Sequence, residues 1–182
     1  MKMRNLFAIL LLLVVVLGTS SPTMAAEAIL KDYNAVIVKD LEVPSGSPAP
    51  ESAGMQMAEK AVYQIQRYNQ NNKLFDTVIK EGGKGSKATI SGKKVLIIMG
   101  EVKEWTPPTV GGRVGRSFIP GVGGHLGSAA FAAHYKFIDK ENGNVIYETD
   151  LRTTSTGAND TVEYAMDRNG EALAKYVVKL KK

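Results

Sequence analysis

The sequence predicts an α+β fold: a two-layer sandwich in which one early and one C-terminal helix cover a mostly antiparallel sheet of four to five strands. Three observations lead to this prediction. Apolar residues recur at helical spacing in two separate segments, short β-branched runs lie between them, and an Asn-Gly pair at 142–143 joins two alternating runs. No internal repeat is recognisable, so we expect one core.

The first 25 residues have the three-part layout of a secretory signal peptide. Lys2 and Arg4 form a basic start, Leu6–Leu17 is an uninterrupted apolar run of 12 residues, and small residues follow. A membrane anchor is the alternative, but a spanning helix needs roughly 20 apolar residues. We therefore expect residues 1–25 to be removed and residues 26–182 to form a single α+β domain without a transmembrane span.

Removal of this peptide lowers the formal charge of the chain. Thr23 and Ala25 suit a cut before Ala26, while Ala26 and Ala28 offer another cleavage site. Two cations leave with the peptide, so the charge falls from +5 to +3. A weakly basic, exported chain lacks the electrostatic footprint of a nucleic-acid-binding protein, and we expect no nucleic-acid partner.

The chain of 182 residues contains no cysteine. This excludes a disulfide scaffold, a thiol nucleophile and a cysteine-ligated metal site. It also excludes a lipid-modified N-terminal cysteine. We expect the protein to be periplasmic or secreted, with weak contact to a membrane surface left open.

The first half of the exported chain reads as strand, helix, strand. Ala35–Val38 is a β-branched buried strand that continues towards Val43 and ends at Pro44. A helix of about 20 residues follows and ends at Asn69–Asn72. Its apolar stripe consists of Met55, Ala58, Val62 and Ile65. Leu74–Ile79 is a second short strand.

A polar, glycine-rich loop at Glu81–Lys94 precedes the strongest strand of the chain, and a short strand at Ala88–Ile90 is an option within that loop. Val95–Met99 is continuously apolar, and the pattern then alternates to Trp105 before Pro107. This change predicts a strand that is buried on both faces at first and then runs out to the sheet edge.

A β-hairpin and a helix complete the fold. Ser128–Asp139 alternates between apolar and polar residues, and Asn142-Gly143 predicts a type I′ turn. Val145–Ser155 is the returning strand. One of its faces carries Val145, Tyr147, Thr149 and Leu151. Asp160 and Glu163 resemble a capping box that opens the last helix.

Recognisable catalytic and cofactor motifs are few. Gly85–Lys94 departs from a phosphate-binding loop in its glycine spacing, and Gly121–Gly127 has Leu126 where the dinucleotide fingerprint needs a glycine. His125 and His134 could form a metal pair, but no carboxylate is convincingly placed beside them. We expect no enzymatic activity, no cofactor and no metal.

The segment 111–127 is the most distinctive part of the sequence. It holds 7 of the 18 glycines, and no residue from Ser117 through Ala133 is formally charged. It is either a tightly packed loop that needs positive φ angles or an interaction element that lets a partner backbone approach closely. The interaction candidates are Arg113, Gly115, Arg116, Phe118, Gly121, Gly123, Gly124 and the single tryptophan, Trp105.

Four features together resemble a bacterial family catalogued as domain of unknown function 4410. They are the exported N-terminus, the early strand Tyr33–Val38, the centre Gly112–Gly123, and the small-residue strand Ala129–Asp139 with its hairpin at Gly143–Ile146. The resemblance covers most of the exported chain. It implies a fold and an envelope location but no activity, and the missing cysteine departs from the lipid-anchored proteins of similar type.

These observations favour a non-enzymatic, exported cell-envelope protein that acts through protein–protein contact. The expected partner is another envelope protein or a second copy of the chain, bound through segment 111–127. The alternative is a periplasmic module that binds a small ligand, a glycan or an anionic lipid around Trp105, Arg113, Arg116 and His125.

Overall fold

The computed structural model describes residues 28–82, 90, 92–109, 127–156 and 159–182. This part of the chain contains five strands and two helices. They are β1 (Ala35–Val38), α1 (Ala53–Asn72), β2 (Thr77–Lys80), β3 (Val95–Thr106), β4 (Ala130–Asp139), β5 (Val145–Thr154) and α2 (Val162–Lys181). The predicted α+β fold with one early and one C-terminal helix is confirmed. The predicted signal peptide and the option of a strand at Ala88–Ile90 lie almost entirely outside the described residues.

The strands form one sheet in the order β2-β1-β3-β4-β5. β1 is parallel to β2 and β3 over four residues each, whereas β4 is antiparallel to β3 and β5 over nearly its whole length. The antiparallel ladders therefore supply most of the pairing. Both helices pack against the sheet and against each other, with α1 below β1 and β2 and α2 below β4 and β5.

The hydrophobic core lies between the helices and the sheet, and β4 supplies its largest side chains. Phe131, Ala133, Tyr135 and Phe137 are at most 1% exposed, as the predicted alternation requires. β1 is buried on both faces, since Val36 and Val38 belong to this core while Ala35 and Ile37 form a small second cluster. Burial on both faces explains why β1 is continuously apolar.

The buried face of α1 differs from the predicted stripe. Met55 of the predicted stripe is 43% exposed, whereas Gln64, which is not part of that stripe, is buried. The buried residues are Ala53, Gly54, Met57, Ala58, Ala61, Gln64 and Ile65. The helices approach so closely that a Cβ atom at Gly170 of α2 would lie 3.2 Å from the backbone of Lys60. Close packing of this kind selects small residues rather than large ones.

The β4–β5 hairpin is confirmed, but the predicted type I′ turn is wrong. That turn needs positive φ at two consecutive residues. Within the described residues of this loop only Gly143 has positive φ, at 74°. Its N–H donates to the carbonyl of Asp139 at 2.9 Å, and five residues join the strands. A bulge beside Phe137 also turns Val145 away from the core, so that Val145 is 49% exposed rather than aligned with Leu151.

Two further boundaries differ from the prediction. β1 ends at Val38, and only Glu42 pairs again with β3. Thr161, not Asp160, is the N-cap of α2, since its side chain accepts a hydrogen bond from the N–H of Tyr164 at 3.1 Å. Asp160 instead accepts from the N–H of Ala129 at 2.9 Å and thereby joins the start of α2 to the start of β4.

A buried amide connects α2 to the two strands above it. The Tyr135 hydroxyl donates to Oδ1 of Asn169 at 2.7 Å, and Nδ2 of Asn169 donates to the carbonyl of Leu151 at 2.9 Å. Tyr135 and Asn169 are fully buried. Burial raises the pKa of Tyr135, which keeps the hydroxyl protonated as a donor. Polar groups at this depth are tolerated because each has a partner.

A lysine at the end of α2 holds the first described residues. The ammonium of Lys181 donates to the carbonyls of Leu30, Lys31 and Tyr33 at 3.2, 2.7 and 2.6 Å. It also lies 5.0 Å from the ring centroid of Phe75. Burial lowers the pKa of Lys181, and the three carbonyls compensate the lost hydration.

Replacing Asn169 by Leu should lower the free energy of unfolding by about 2 to 3 kcal/mol, because the Tyr135 hydroxyl is then buried without a partner. Tyr135→Phe in the Asn169→Leu background should cost less than about 0.5 kcal/mol, since both polar groups are then gone. Urea denaturation followed by far-UV circular dichroism measures both values. Additive costs of the two changes would contradict the coupling described here.

Candidate functional site

A polar groove lies on the face of the sheet opposite the helices. Its cavity volume is about 460 Å³. The lining residues are Glu42, Met99, Gly100, Glu101, Lys103, His134, Lys136 and Asp150. The alternation of β3 and β4 accounts for this composition, because residues between core positions point to the opposite face.

Four of these residues form one row across the sheet. Glu42 is paired with Glu101, Glu101 with His134, and His134 with Asp150. We call this set the central row. It places three carboxylates beside a single imidazole, and adjacent like charges on a sheet are destabilising. Lys103 partly offsets them, with its ammonium 2.7 Å from Oε2 of Glu101.

His134 is held by both neighbours on β5. Its Nδ1 lies 2.9 Å from Oδ1 of Asp150, and its Nε2 lies 3.8 Å from Oε2 of Glu148. Lys136 lies 3.8 Å from the other oxygen of Glu148. The contact with Asp150 orients the imidazole ring at the centre of the groove floor.

The backbone at the groove floor requires a glycine. A Cβ atom at Gly100 would lie 2.0 Å from the carbonyl oxygen of His134. Contacts this short do not occur between real atoms, so β3 and β4 could not keep this spacing with any side chain at that position. Gly100 therefore sets the close approach of the two strands that carry the central row.

An ion pair spans β4 next to the groove. Nε and Nη2 of Arg152 on β5 donate to the two carboxylate oxygens of Glu104 on β3 at 2.7 and 3.0 Å. Ala132, the β4 residue between them, is small enough for the side chains to meet above it. The guanidinium lowers the pKa of Glu104, and the carboxylate raises the pKa of Arg152.

The described lining of the groove consists of carboxylates, amines, one imidazole and one thioether. These groups can bind a polar ligand through charge-assisted hydrogen bonds. Within the described ranges, no group of three or more metal-ligating side chains is positioned to hold a metal ion.

Of the predicted interaction residues, only Trp105 lies in the described part of the chain. Its ring packs against the core and meets Phe131 edge-on, with ring centroids 6.3 Å apart. This geometry matches the use of a tryptophan as a core cap. The other predicted residues, Arg113, Gly115, Arg116, Phe118, Gly121, Gly123 and Gly124, lie outside the described residues, as does His125.

The groove is not evident from the sequence, which offers His134 only as a possible metal pair with His125 and places no carboxylate convincingly beside it. The five-residue loop and the bulge of the hairpin set the register that brings Asp150 opposite His134. Glu42 reaches the row only through its isolated pairing with Glu101. The turn alone would place Thr149 opposite His134, and only the bulge brings Asp150 there. No local sequence signal identifies the bulge or Glu42.

No protein-family model matches the sequence, and no curated protein matches it. Among solved structures, the chain is similar to a PelC dodecamer from Paraburkholderia phytofirmans, with 16% identity and a TM-score of 0.51 over 90% of this chain and 93% of that chain. A dodecamer of a PelC variant from the same organism gives 17% identity and a TM-score of 0.52, with coverage of 90% and 94%.

A Xanthomonas campestris protein described under the family model DUF330 gives 9% identity and a TM-score of 0.48, with coverage of 80% and 84%. At 16% and 17% identity, the two PelC comparisons show a shared fold. Membership of the family catalogued as domain of unknown function 4410 stays a prediction. None of the described helices is long and apolar enough to cross a membrane.

The Glu104–Arg152 pair should show a coupling energy of about 0.5 to 1 kcal/mol at neutral pH in a double-mutant cycle of Glu104→Gln and Arg152→Gln. Arg152 lowers the pKa of Glu104. The stabilisation is therefore complete above the ordinary carboxyl pKa and is lost as the pH falls below about 4. Chemical denaturation at several pH values measures it. A coupling that persists unchanged in acid would contradict an ionic origin.

Proposed function

We propose that this chain is an exported, non-enzymatic cell-envelope protein that acts through protein–protein contact and assembles with copies of itself through segment 111–127. The observation that carries the proposal is the fold shared with PelC over 90% of this chain, because that protein is described as a dodecamer. The fold is thus compatible with assembly into a closed oligomer.

The position of segment 111–127 supports this proposal. β1 pairs with β3 only as far as Ile98, so the remainder of β3 continues with β4 and β5 as a three-stranded ribbon. Thr109 donates its N–H to the carbonyl of Gly127 at 3.0 Å, which joins the two ends of the segment beyond the last strand pair. Thr109 and Gly127 therefore lie together at the tip of the ribbon.

Side-chain contacts between its strands stabilise the end of the ribbon. Trp105 packs edge-on against Phe131, and Arg152 bridges to Glu104 across β4. Both contacts lie within four residues of the ribbon end. An interface on such a base loses less conformational freedom on binding than one on an unsupported loop.

The charge distribution of the segment suits a protein interface. Arg113 and Arg116 are its only formally charged residues, and its apolar side chains are Phe118, Ile119, Val114, Val122 and Leu126. Interface centres are depleted in charge and enriched in aromatic residues and arginine. Glycines beside these side chains let two backbones approach closely.

A second candidate function is the binding of a small polar ligand or glycan in the groove around His134. The imidazole beside Asp150, and the ammonium groups of Lys103 and Lys136 next to the carboxylates of the central row, favour it. Thermal-shift screening with envelope glycans and anionic lipids tests this alternative. A shift that disappears in Asp150→Ala but persists in the matched surface variant Glu163→Ala would support it.

The chain expressed with its own N-terminus should appear in the envelope fraction with residues 1–25 removed. Intact-mass spectrometry and N-terminal sequencing measure this. An uncleaved chain retained in the inner membrane would contradict the proposed export.

The purified protein should elute as an oligomer in size-exclusion chromatography with light scattering. Gly123→Val combined with Gly124→Val should lower the mass of the oligomer, because the contacts through segment 111–127 are lost, while the far-UV spectrum is retained. Gly82→Val, in an exposed turn, is the matched control; it should cost about 1 kcal/mol of stability and leave assembly intact. A wild-type monomer that captures no envelope protein would overturn the proposal.

A further inference from the structure

The outer edge of β5 has the properties of a strand that pairs with another chain. β4 is the only described strand that pairs with β5. β5 has 10 residues, whereas strands commonly have about five or six. Its sequence contains neither proline nor lysine, two residues that often protect an exposed edge from pairing, and its bulge lies at its start, beside Phe137. The charges along this edge are Glu148, Asp150 and Arg152.

The hydrogen-bond pattern shows which backbone groups face outwards. Ser155 donates its N–H to the carbonyl of Ala129 at 2.8 Å, so residue 155 faces β4. Alternation along an uninterrupted register makes Glu148, Asp150 and Arg152 the residues whose N–H and C=O groups face away from β4. The carbonyl of Thr154, which belongs to the same outward set, accepts from Arg168 at 2.8 Å.

The charges of these three side chains are complementary to those of a second copy of β5 that lies antiparallel to the first. Glu148, Asp150 and Arg152 are 46%, 78% and 59% exposed and lie on the face opposite the helices. A two-fold axis at Leu151 places Asp150 opposite Arg152 of the second copy, and the same pair forms again by symmetry. Opposite charges in such cross-strand positions stabilise pairing.

The alternative two-fold axis is less favourable. An axis at Asp150 would place Arg152 opposite Glu148, but it would also place the two Asp150 side chains opposite each other. The axis at Leu151 avoids this repulsion. Arg152 can contact Asp150 of the second copy and keep its ion pair with Glu104, because Glu104 contacts only Nε and Nη2 of the guanidinium.

We propose that β5 pairs antiparallel with β5 of a second copy about a two-fold axis at Leu151, which joins the two sheets into one. Asp150 and Arg152 exchange backbone hydrogen bonds in both directions across this interface. The inference rests on the proposed self-assembly and adds to it an interface distinct from segment 111–127.

The absence of cysteine from the chain permits a direct crosslinking test. One full-length chain carries Asp150→Cys, and a second full-length chain with a different tag carries Arg152→Cys. The two chains are expressed together and oxidised. The register predicts a disulfide-linked pair that contains both tags, because opposite residues in a ladder lie within disulfide reach. Lys103→Cys combined with Arg152→Cys is the matched control. It should give no such product, since Lys103 lies on β3.

A proline variant tests the backbone pairing. Asp150→Pro removes an N–H that faces outwards, so it should preserve the β4–β5 ladder and weaken dimer formation at least about a hundredfold. Asp150→Ala keeps this N–H but loses the charge pairs across the interface and the contact with His134, so it should weaken dimer formation about tenfold. Sedimentation at several concentrations measures both, and circular dichroism checks folding. If Asp150→Pro does not fold, the crosslinking result decides.

The outcomes separate this inference from the proposed function. An oligomer that gives no β5 crosslink and is unaffected by Asp150→Pro overturns the β5 interface and leaves self-assembly in place. A chain that is monomeric and binds no envelope protein overturns both. Asp150→Pro could instead release a different protein from the complex while no crosslink forms between copies. That result would overturn the pairing of two copies and would indicate that β5 pairs with a strand of the other protein.

Discussion

The register of β4 between β3 and β5 is the constraint on which the rest of the structure depends. Gly100 allows β3 to approach the carbonyl of His134, and this close contact fixes the alignment. One face of β4 then fills the core with Tyr135 and its neighbours, while the other face carries His134 to the groove floor. A slip of one residue would exchange these faces and expose the core side chains.

The same register connects the core to the surface that we propose for assembly. Asn169 holds Tyr135 and the carbonyl of Leu151 from below, and Arg152 holds Glu104 from above. β5 is therefore supported on both faces while its outer edge remains available to a partner. A supported edge can form a specific interface because little of it must become ordered on binding.

Periodic patterns predicted much of the fold, because alternation and helical spacing report burial directly. β4, the hairpin and both helices follow from such patterns. The face of α1 could not be predicted, since Gly170 brings the helices closer than typical apolar packing. The groove is not evident from the sequence because it joins three strands and Glu42, and the register there depends on a bulge and on the isolated pairing of Glu42 with Glu101. Outward and inward backbone groups on β5 likewise become distinguishable only when the hydrogen bonds are known.

Amide hydrogen exchange at different protein concentrations tests most directly whether copies meet at the edge of this ribbon. The amides of Thr149 and Leu151 face β4 and should be protected at every concentration. The account predicts that the amides of Asp150 and Arg152 exchange rapidly in dilute solution and become protected as the concentration rises. Rapid exchange of Asp150 and Arg152 at concentrations where the protein is oligomeric would contradict it.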